Sequence, residues 1–340
     1  MPRRASDRHT NLALLALLLS AVATGLAAFA IGTGWVRWIV VGHGIVGFAI
    51  AALARPKARI ARRGLRVRPA SRTWPSVLLG VLVIVVVVSG LGHSTGLLHS
   101  LGPVSAMQVH VAAALTSIPL VLWHVLARPV RPRPIDRSRR QLVRSGALLG
   151  ASALAYGGLA GLGVATGLPG AGRRFTGSYR TASFDPASLP VTQWLNDRVP
   201  SIDPDRWTLA VSGLDGTRSI GSEELASFDE QIEATIDCTG GWCSRQIWHG
   251  VSVSAIFPDV DPSGSIEVRS VTGYARRFPA SDASRLLIAT RLGGRPLTPV
   301  HGAPARLVAP GRRGFWWVKW ITRIAASETP WWWQPPFPLT

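Results

Sequence analysis

Asp237-Cys238-Thr239-Gly240-Gly241-Trp242 sets one thiol beside a glycine turn. Further on, His301-Gly302-Ala303-Pro304-Ala305-Arg306-Leu307-Val308-Ala309-Pro310-Gly311 runs into Arg312-Arg313-Gly314-Phe315-Trp316-Trp317-Val318-Lys319-Trp320. A thiolate is a strong donor to a soft or high-valent metal. Backbone N–H groups in glycine-rich turns, together with Arg306 and Lys319, can hold a phosphate. The two stretches together predict a soft metal centre on an anionic organic cofactor. Each residue also has a plainer reading: Cys238 as a buried core thiol, His301 as a turn cap, Arg306 as a cation facing water.

Around that pair the chain is a series of short extended stretches broken by Gly, Pro and Asp. Trp207-Thr208-Leu209-Ala210-Val211 alternates as a strand does and stops at Gly213-Leu214-Asp215-Gly216, a turn. Ile232-Glu233-Ala234-Thr235-Ile236 is a second strand, delivering Cys238, and residues 265–271 are a third. Residues 283–290 read as a short helix. The mix predicts an α+β domain over 169–340, large enough for its own core. Cys238 and Cys243 stand alone in a C-x4-C spacing that suits structural zinc poorly. An exported domain permits a disulfide between them, but two unlinked thiols are expected, with Cys243 as packing. No G-x-G-x-x-G follows a strand, which argues against direct use of a nicotinamide or flavin.

The first half differs in kind. Residues 11–32, 35–54, 75–98, 105–127 and 143–166 are each apolar and long enough to cross about 30 Å of hydrocarbon. Arg55, Lys57, Arg59, Arg62, Arg63, Arg66, Arg68 and Arg72 form one basic run, and Arg128, Arg131, Arg133, Arg137, Arg139, Arg140 and Arg144 another. A net charge of +19 would suit a nucleic-acid binder, but runs set between apolar spans are the mark of cytoplasmic loops. No nucleic-acid partner is expected. The connections near 33 and 99–104 lack such charge, so five crossings place everything after about residue 168 outside. Ser138-Arg139-Arg140-Gln141-Leu142-Val143 reads either as a twin-arginine export signal or as the basic flank of a stop-transfer helix. The expected organisation is a four-helix membrane domain over 1–140, a fifth span over 141–168 and an extracytoplasmic domain over 169–340. Trp331-Trp332-Trp333 suits a lipid interface.

Six of the eight histidines precede residue 130, and His43, His93, His110 and His124 fall within spans. Imidazole in hydrocarbon is costly and rarely idle, and haem iron accepts two such nitrogens. His43 stands about 12 Å and His110 about 8 Å from the outer ends of their spans at helical rise. His93 is likewise close to the outer end of its span. One outer haem b, with His43 and His110 as axial ligands and His93 in reserve, is the preferred arrangement. His124 lies about 21 Å further along the helix of His110, on nearly the same face, a spacing that can serve a second haem. Histidines that only pack helices are the alternative.

From Pro190-Val191-Thr192-Gln193-Trp194-Leu195 to Ile324 the domain resembles the molybdopterin-binding oxidoreductase fold shared by sulfite oxidase and the periplasmic methionine-sulfoxide reductase catalytic subunit. The likeness rests on the Cys238 segment with Trp248-His249-Gly250-Val251, and on the block 301–319. It implies that Cys238 supplies the protein's thiolate to molybdenum beside the dithiolene of one molybdopterin. It further implies that His301, Arg306 and Lys319 contact the pterin and its phosphate. The chain stops at Thr340, leaving no room for the immunoglobulin-like domain of sulfite oxidases and bringing it nearer the sulfoxide-reductase branch. The helical half broadly resembles membrane cytochrome b subunits.

The expectation is therefore a membrane all-α bundle of about five transmembrane helices followed by an α+β molybdopterin-binding domain of sulfite oxidase type. It would act in a bacterial cell membrane, among lipid, as a molybdenum oxidoreductase moving an oxygen atom to or from a small oxo-donor or oxo-acceptor. Electrons would pass through haem b and a quinone. A haem-free anchor served by a soluble carrier, and a metal-free binding module, remain open.

Overall fold

The computed structural model describes residues 5–67, 69, 73–102, 104–193, 197–213, 216–258 and 260–335. By internal contacts the chain divides into two units, 1–29 with 34–177, and 30–33 with 178–340.

The first unit is helical: α1 (Ala5–Ala30), α2 (Val36–Arg66), α3 (Trp74–Thr95), α4 (Ala106–Ala127) and α5 (Arg139–Ala165). All five are long and apolar enough to cross a membrane. Ile84, Leu122, Leu154 and Val164 are exposed, as on helices apolar all round that face hydrocarbon rather than water. α3 runs beside α4, and α2 beside α5. Leu17, Ala49 and Ile50 form a small core with Val83, Val87 and Leu148. A two-stranded hairpin, β1 (Ser100–Leu101) and β2 (Val104–Ser105), joins α3 to α4. α4 opens on a capping box, in which Ser105 Oγ accepts from Gln108 N at 3.1 Å and Gln108 Oε1 from Ser105 N at 2.8 Å.

Two expectations are corrected here. The basic stretch from Arg55 is not a loop, because α2 continues through it to Arg66. Ala, Arg, Leu and Lys are good helix formers, and Arg63 and Arg66 complement the negative end of the helix dipole. Arg68 and Arg72 lie outside the described residues. The twin arginines are likewise helical, Arg139 and Arg140 being the first two residues of α5.

The second unit holds two sheets. In chain order its elements are β3 (Tyr179–Arg180), β4 (Thr208–Gly213), β5 (Gly216–Gly221), α6 (Ser222–Ser227), β6 (Glu230–Asp237) and β7 (Trp242–Ser252). There follow α7 (Val253–Ile256), β8 (Ser265–Ser270), β9 (Ala275–Pro279), β10 (Leu287–Leu292), β11 (Arg295–Pro296), β12 (Arg306–Val308) and β13 (Ile321–Ser327). One sheet runs β11-β10-β7-β3, with β12 also on β10 and β6 on β7; the other runs β5-β4-β13-β8-β9. The three expected strands are present as β4, β6 and β8. Of the expected turn, Gly213 pairs with Gly216, while Leu214 and Asp215 lie outside the described residues.

The expected helix over 283–290 is wrong. A 3-10 turn ends at Arg285, and β10 begins at Leu287. Leu287, Ile288 and Ala289 are buried on both faces between β7 and β12. A short run buried on both sides carries no alternation, so its periodicity does not separate helix from strand.

Candidate functional site

β6 and β7 are antiparallel with Asp237 opposite Cys243, and the turn between them carries Cys238. Cys238 N donates to Trp242 O at 2.8 Å, and Gly241 N donates back to Cys238 O at 3.2 Å. Gly240 N points at Cys238 Sγ, 3.3 Å away. The thiol is buried yet lines a cavity with Thr192, Gln193, Asp197, Arg306 and Lys319 among its walls. Burial pushes the Cys238 thiol up, offset in part by the Gly240 N–H, the Thr192 hydroxyl and the charge of Arg313. Cys243 is buried in β7, and no disulfide joins it to Cys238.

Arg306 opens β12 and is 2% exposed. Its Nη1 donates to His301 O at 3.1 Å and its Nη2 to Trp317 O at 3.4 Å. The guanidinium carbon lies 5.1 Å from the Trp248 ring centroid and 5.7 Å from that of Trp317, and among the described residues Nε has no partner. Burial alone lowers the guanidinium to about 9. Lys319 Nζ donates to Val300 O at 2.8 Å, Thr192 O at 3.0 Å and Gln193 Oε1 at 3.2 Å. Burial, with Arg306 nearby, lowers the ammonium to about 7. Among the described residues neither cation forms an ion pair with a carboxylate.

His301 also lines the cavity, but both its ring nitrogens are engaged, Nδ1 with Thr298 Oγ1 at 2.8 Å and Nε2 with Leu189 O at 3.1 Å. Burial holds it below the ordinary histidine value. The fold thus brings Cys238, His301, Arg306 and Lys319 to one cavity from four separate segments. Sequence reasoning missed Arg313, Asp237 and Ser178, which surround the Cys238 backbone. The only available signals were their adjacency to residues already singled out, Asp237 to Cys238 and Arg313 to the glycine turn. Trp316, Trp317 and Trp320 are core, whereas Trp332 and Trp333 are exposed.

In the helical unit, His43 of α2 and His110 of α4 have ring centroids 5.9 Å apart and ring planes at 80°. His110 Nδ1 bonds Val86 O at 2.8 Å, and His43 Nδ1 bonds Thr24 Oγ1 at 3.0 Å. His93 Nε2 is 2.9 Å from Gly177 O, and His124 Nδ1 is 3.1 Å from Ser76 Oγ.

Residues 196–333 match the family of oxidoreductase molybdopterin-binding domains. Sulfite oxidase of Gallus gallus is 29% identical over 179 residues, 40% of this chain and 38% of that protein. An uncharacterized oxidoreductase of Bacillus subtilis is 28% identical over 134 residues, 37% of this chain and 68% of that protein. Among solved structures, the sulfane dehydrogenase SoxCD of Paracoccus pantotrophus is 24% identical with a TM-score of 0.36, covering 38% of this chain and 40% of that one. The chain thus spans well under half the length of the sulfite oxidase it matches. Five apolar helices followed by a sheet-rich domain with the molybdopterin-binding fold of sulfite oxidase describe this chain.

Proposed function

We propose that this chain is a membrane-anchored molybdenum oxidoreductase that moves an oxygen atom to or from a small substrate outside the cytoplasm. The carrying observation is a thiol that shares a cavity with a buried guanidinium and a half-buried ammonium, neither of which forms an ion pair with a carboxylate among the described residues. A buried, uncompensated guanidinium with an orphaned Nε is costly, and a dianionic phosphate is the group that relieves it. The residues therefore fit molybdopterin. Cys238 would be the protein's sulfur ligand, Arg306 and Lys319 would hold the phosphate, and His301 would buttress Arg306 through its carbonyl. When bound, the group supplies two-electron redox and oxygen-atom transfer chemistry. The chain's own part is to fix geometry, exclude water and balance charge.

With Arg306 and Lys319 committed to a phosphate, the cavity wall retains Thr192, Gln193, Thr239, Trp242 and the carboxylate of Asp197. That lining favours an uncharged oxo-compound over an oxyanion, since oxyanion recognition calls for cations.

The electron path we propose is haem b between His43 and His110, then a membrane quinone. Their ring centroids stand 5.9 Å apart, so the two imidazoles would hold the haem, which would supply one-electron transfer. Each Nδ1 is held by an oxygen, the second contact that leaves Nε2 for a metal. His93 spends its Nε2 on a carbonyl, which makes it the poorer candidate. The basic ends of the helices support a cytoplasmic placement of those ends and an outer placement of the sheet-rich domain. Arg139 and Arg140 sit where the helix dipole disfavours cations, so export signalling explains them better than helix stability.

Membranes containing the protein should yield molybdenum and a b-type haem spectrum, the latter lost in His43→Ala with His110→Ala. Properly matured protein without molybdenum would end the enzymatic reading. A haem spectrum indifferent to that double variant would end the electron-path reading alone.

A further inference from the structure

Beside Cys238 lies a buried ion pair that the chemistry described above does not use. Asp237 and Arg313 are 2% and 5% exposed at their side chains, and Arg313 Nη1 donates to Asp237 Oδ1 at 2.6 Å. A buried pair of this kind is weak ground for stability, because desolvating two charges rivals their attraction. Its neighbours suggest another use. Arg313 Nη2 donates to the carbonyl of Cys238 at 3.3 Å, and Ser178 Oγ reaches that same oxygen at 3.4 Å while donating to Asp237 Oδ1 at 2.6 Å. With Gly241 N at 3.2 Å, two donors meet that backbone oxygen, while the Ser178 hydroxyl, its one proton given to Asp237, packs against it. Asp237 and Arg313 also form a parallel β-bridge. Gly314, next along, lies so close that a Cβ there would stand 3.2 Å from Cys238 Cα.

We propose that Asp237 and Arg313, with Ser178, are positioning residues that aim the Cys238 sulfur by locking the peptide groups on either side of it. The proposal rests on the reading of Cys238 as a molybdenum ligand. With the Asp237–Cys238 and Cys238–Thr239 peptides held, only rotation about the Cα–Cβ bond remains, and the Gly240 N–H restricts that rotation at Sγ. Only a planar fork reaches carboxylate and carbonyl at once. A lysine at 313 keeps the charge and reaches one of the two.

The test uses full-length protein matured with cofactor, its molybdenum content measured and its thiolate-to-molybdenum absorption band recorded with the metal's reduction potential. In Arg313→Lys and in Ser178→Ala the band should move and the potential shift, while molybdenum content stays near wild type and KM changes less than about threefold. Arg312→Lys, which disturbs the nearby Arg312–Asp282 pair at 2.7 Å, should leave both readouts unchanged. A wild-type band and potential in both Arg313→Lys and Ser178→Ala would overturn the proposal. Should Arg313→Lys fail to accumulate, Ser178→Ala decides alone, since it removes one oxygen and no charge. A band in the unaltered protein that survives Cys238→Ser would instead mean that the parent reading has failed.

Discussion

Replacing Arg306 by Met should act in opposite directions on cofactor-free and cofactor-loaded protein. In the cofactor-free cavity the guanidinium is fully buried without a counter-charge. Burial lowers it from the ordinary arginine value to about 9, which corresponds to roughly 5 kcal/mol against the charged form at neutral pH. Methionine removes that cost and keeps much of the packing against Trp248 and Trp317. It also leaves the carbonyls of His301 and Trp317 without donors, at about 1–3 kcal/mol each. The net change lies between a destabilisation of about 1 kcal/mol and a stabilisation of about 3 kcal/mol. The sign with pH is definite. Between about 9 and the ordinary arginine value the unfolded chain binds a proton that the folded one does not, so wild-type stability rises across that interval, and the variant loses that rise. With cofactor bound, the same substitution deletes a phosphate contact, and molybdenum retention should fall at least tenfold. Thermal unfolding followed by tryptophan fluorescence, on protein from cofactor-deficient and cofactor-proficient cells, measures both. A cofactor-free variant destabilised by several kcal/mol, with wild-type molybdenum content when loaded, would refute the reasoning.

Three other outcomes are expected. Lys319, lowered to about 7 by burial, must be protonated to hold a phosphate, so cofactor retention on dialysis should weaken as pH rises through 7 and the dependence should vanish in Lys319→Met. Cys238→Ser should abolish turnover while leaving the haem spectrum intact, whereas Cys243→Ser, buried in β7 with its thiol toward Ser178 O, should lower activity less than about threefold and stability by about 1 kcal/mol; complete loss in the second variant would show the thiol roles reversed. His93→Ala should retain haem, and loss of the b-type spectrum there would move the ligand from His110 or His43 to His93.

Much of the site was legible because its residues are chemically unusual. A thiol in a glycine turn and cations in an apolar, aromatic block keep their meaning whatever the chain does around them, so Cys238, Arg306 and Lys319 could be named before any fold was known. The Asp237–Arg313–Ser178 network could not, since an arginine beside another arginine reads as surface charge until packing buries it. His301 was singled out as a ligand contact, whereas its ring proved to be tied to Thr298 and Leu189.

The sequence by itself determined the five apolar helices and the sheet-rich domain that follows them, and it singled out Cys238 as the candidate sulfur, because hydropathy, length and donor chemistry are local properties that survive any packing. Tertiary structure alone decided that 287–292 is a strand, that α2 extends through its basic end, and that His43 faces His110 while His93 turns to a backbone carbonyl. Those outcomes depend on which surfaces meet. A run buried on both faces, or a histidine in an apolar helix, carries no sign of its partner until the chain closes around it.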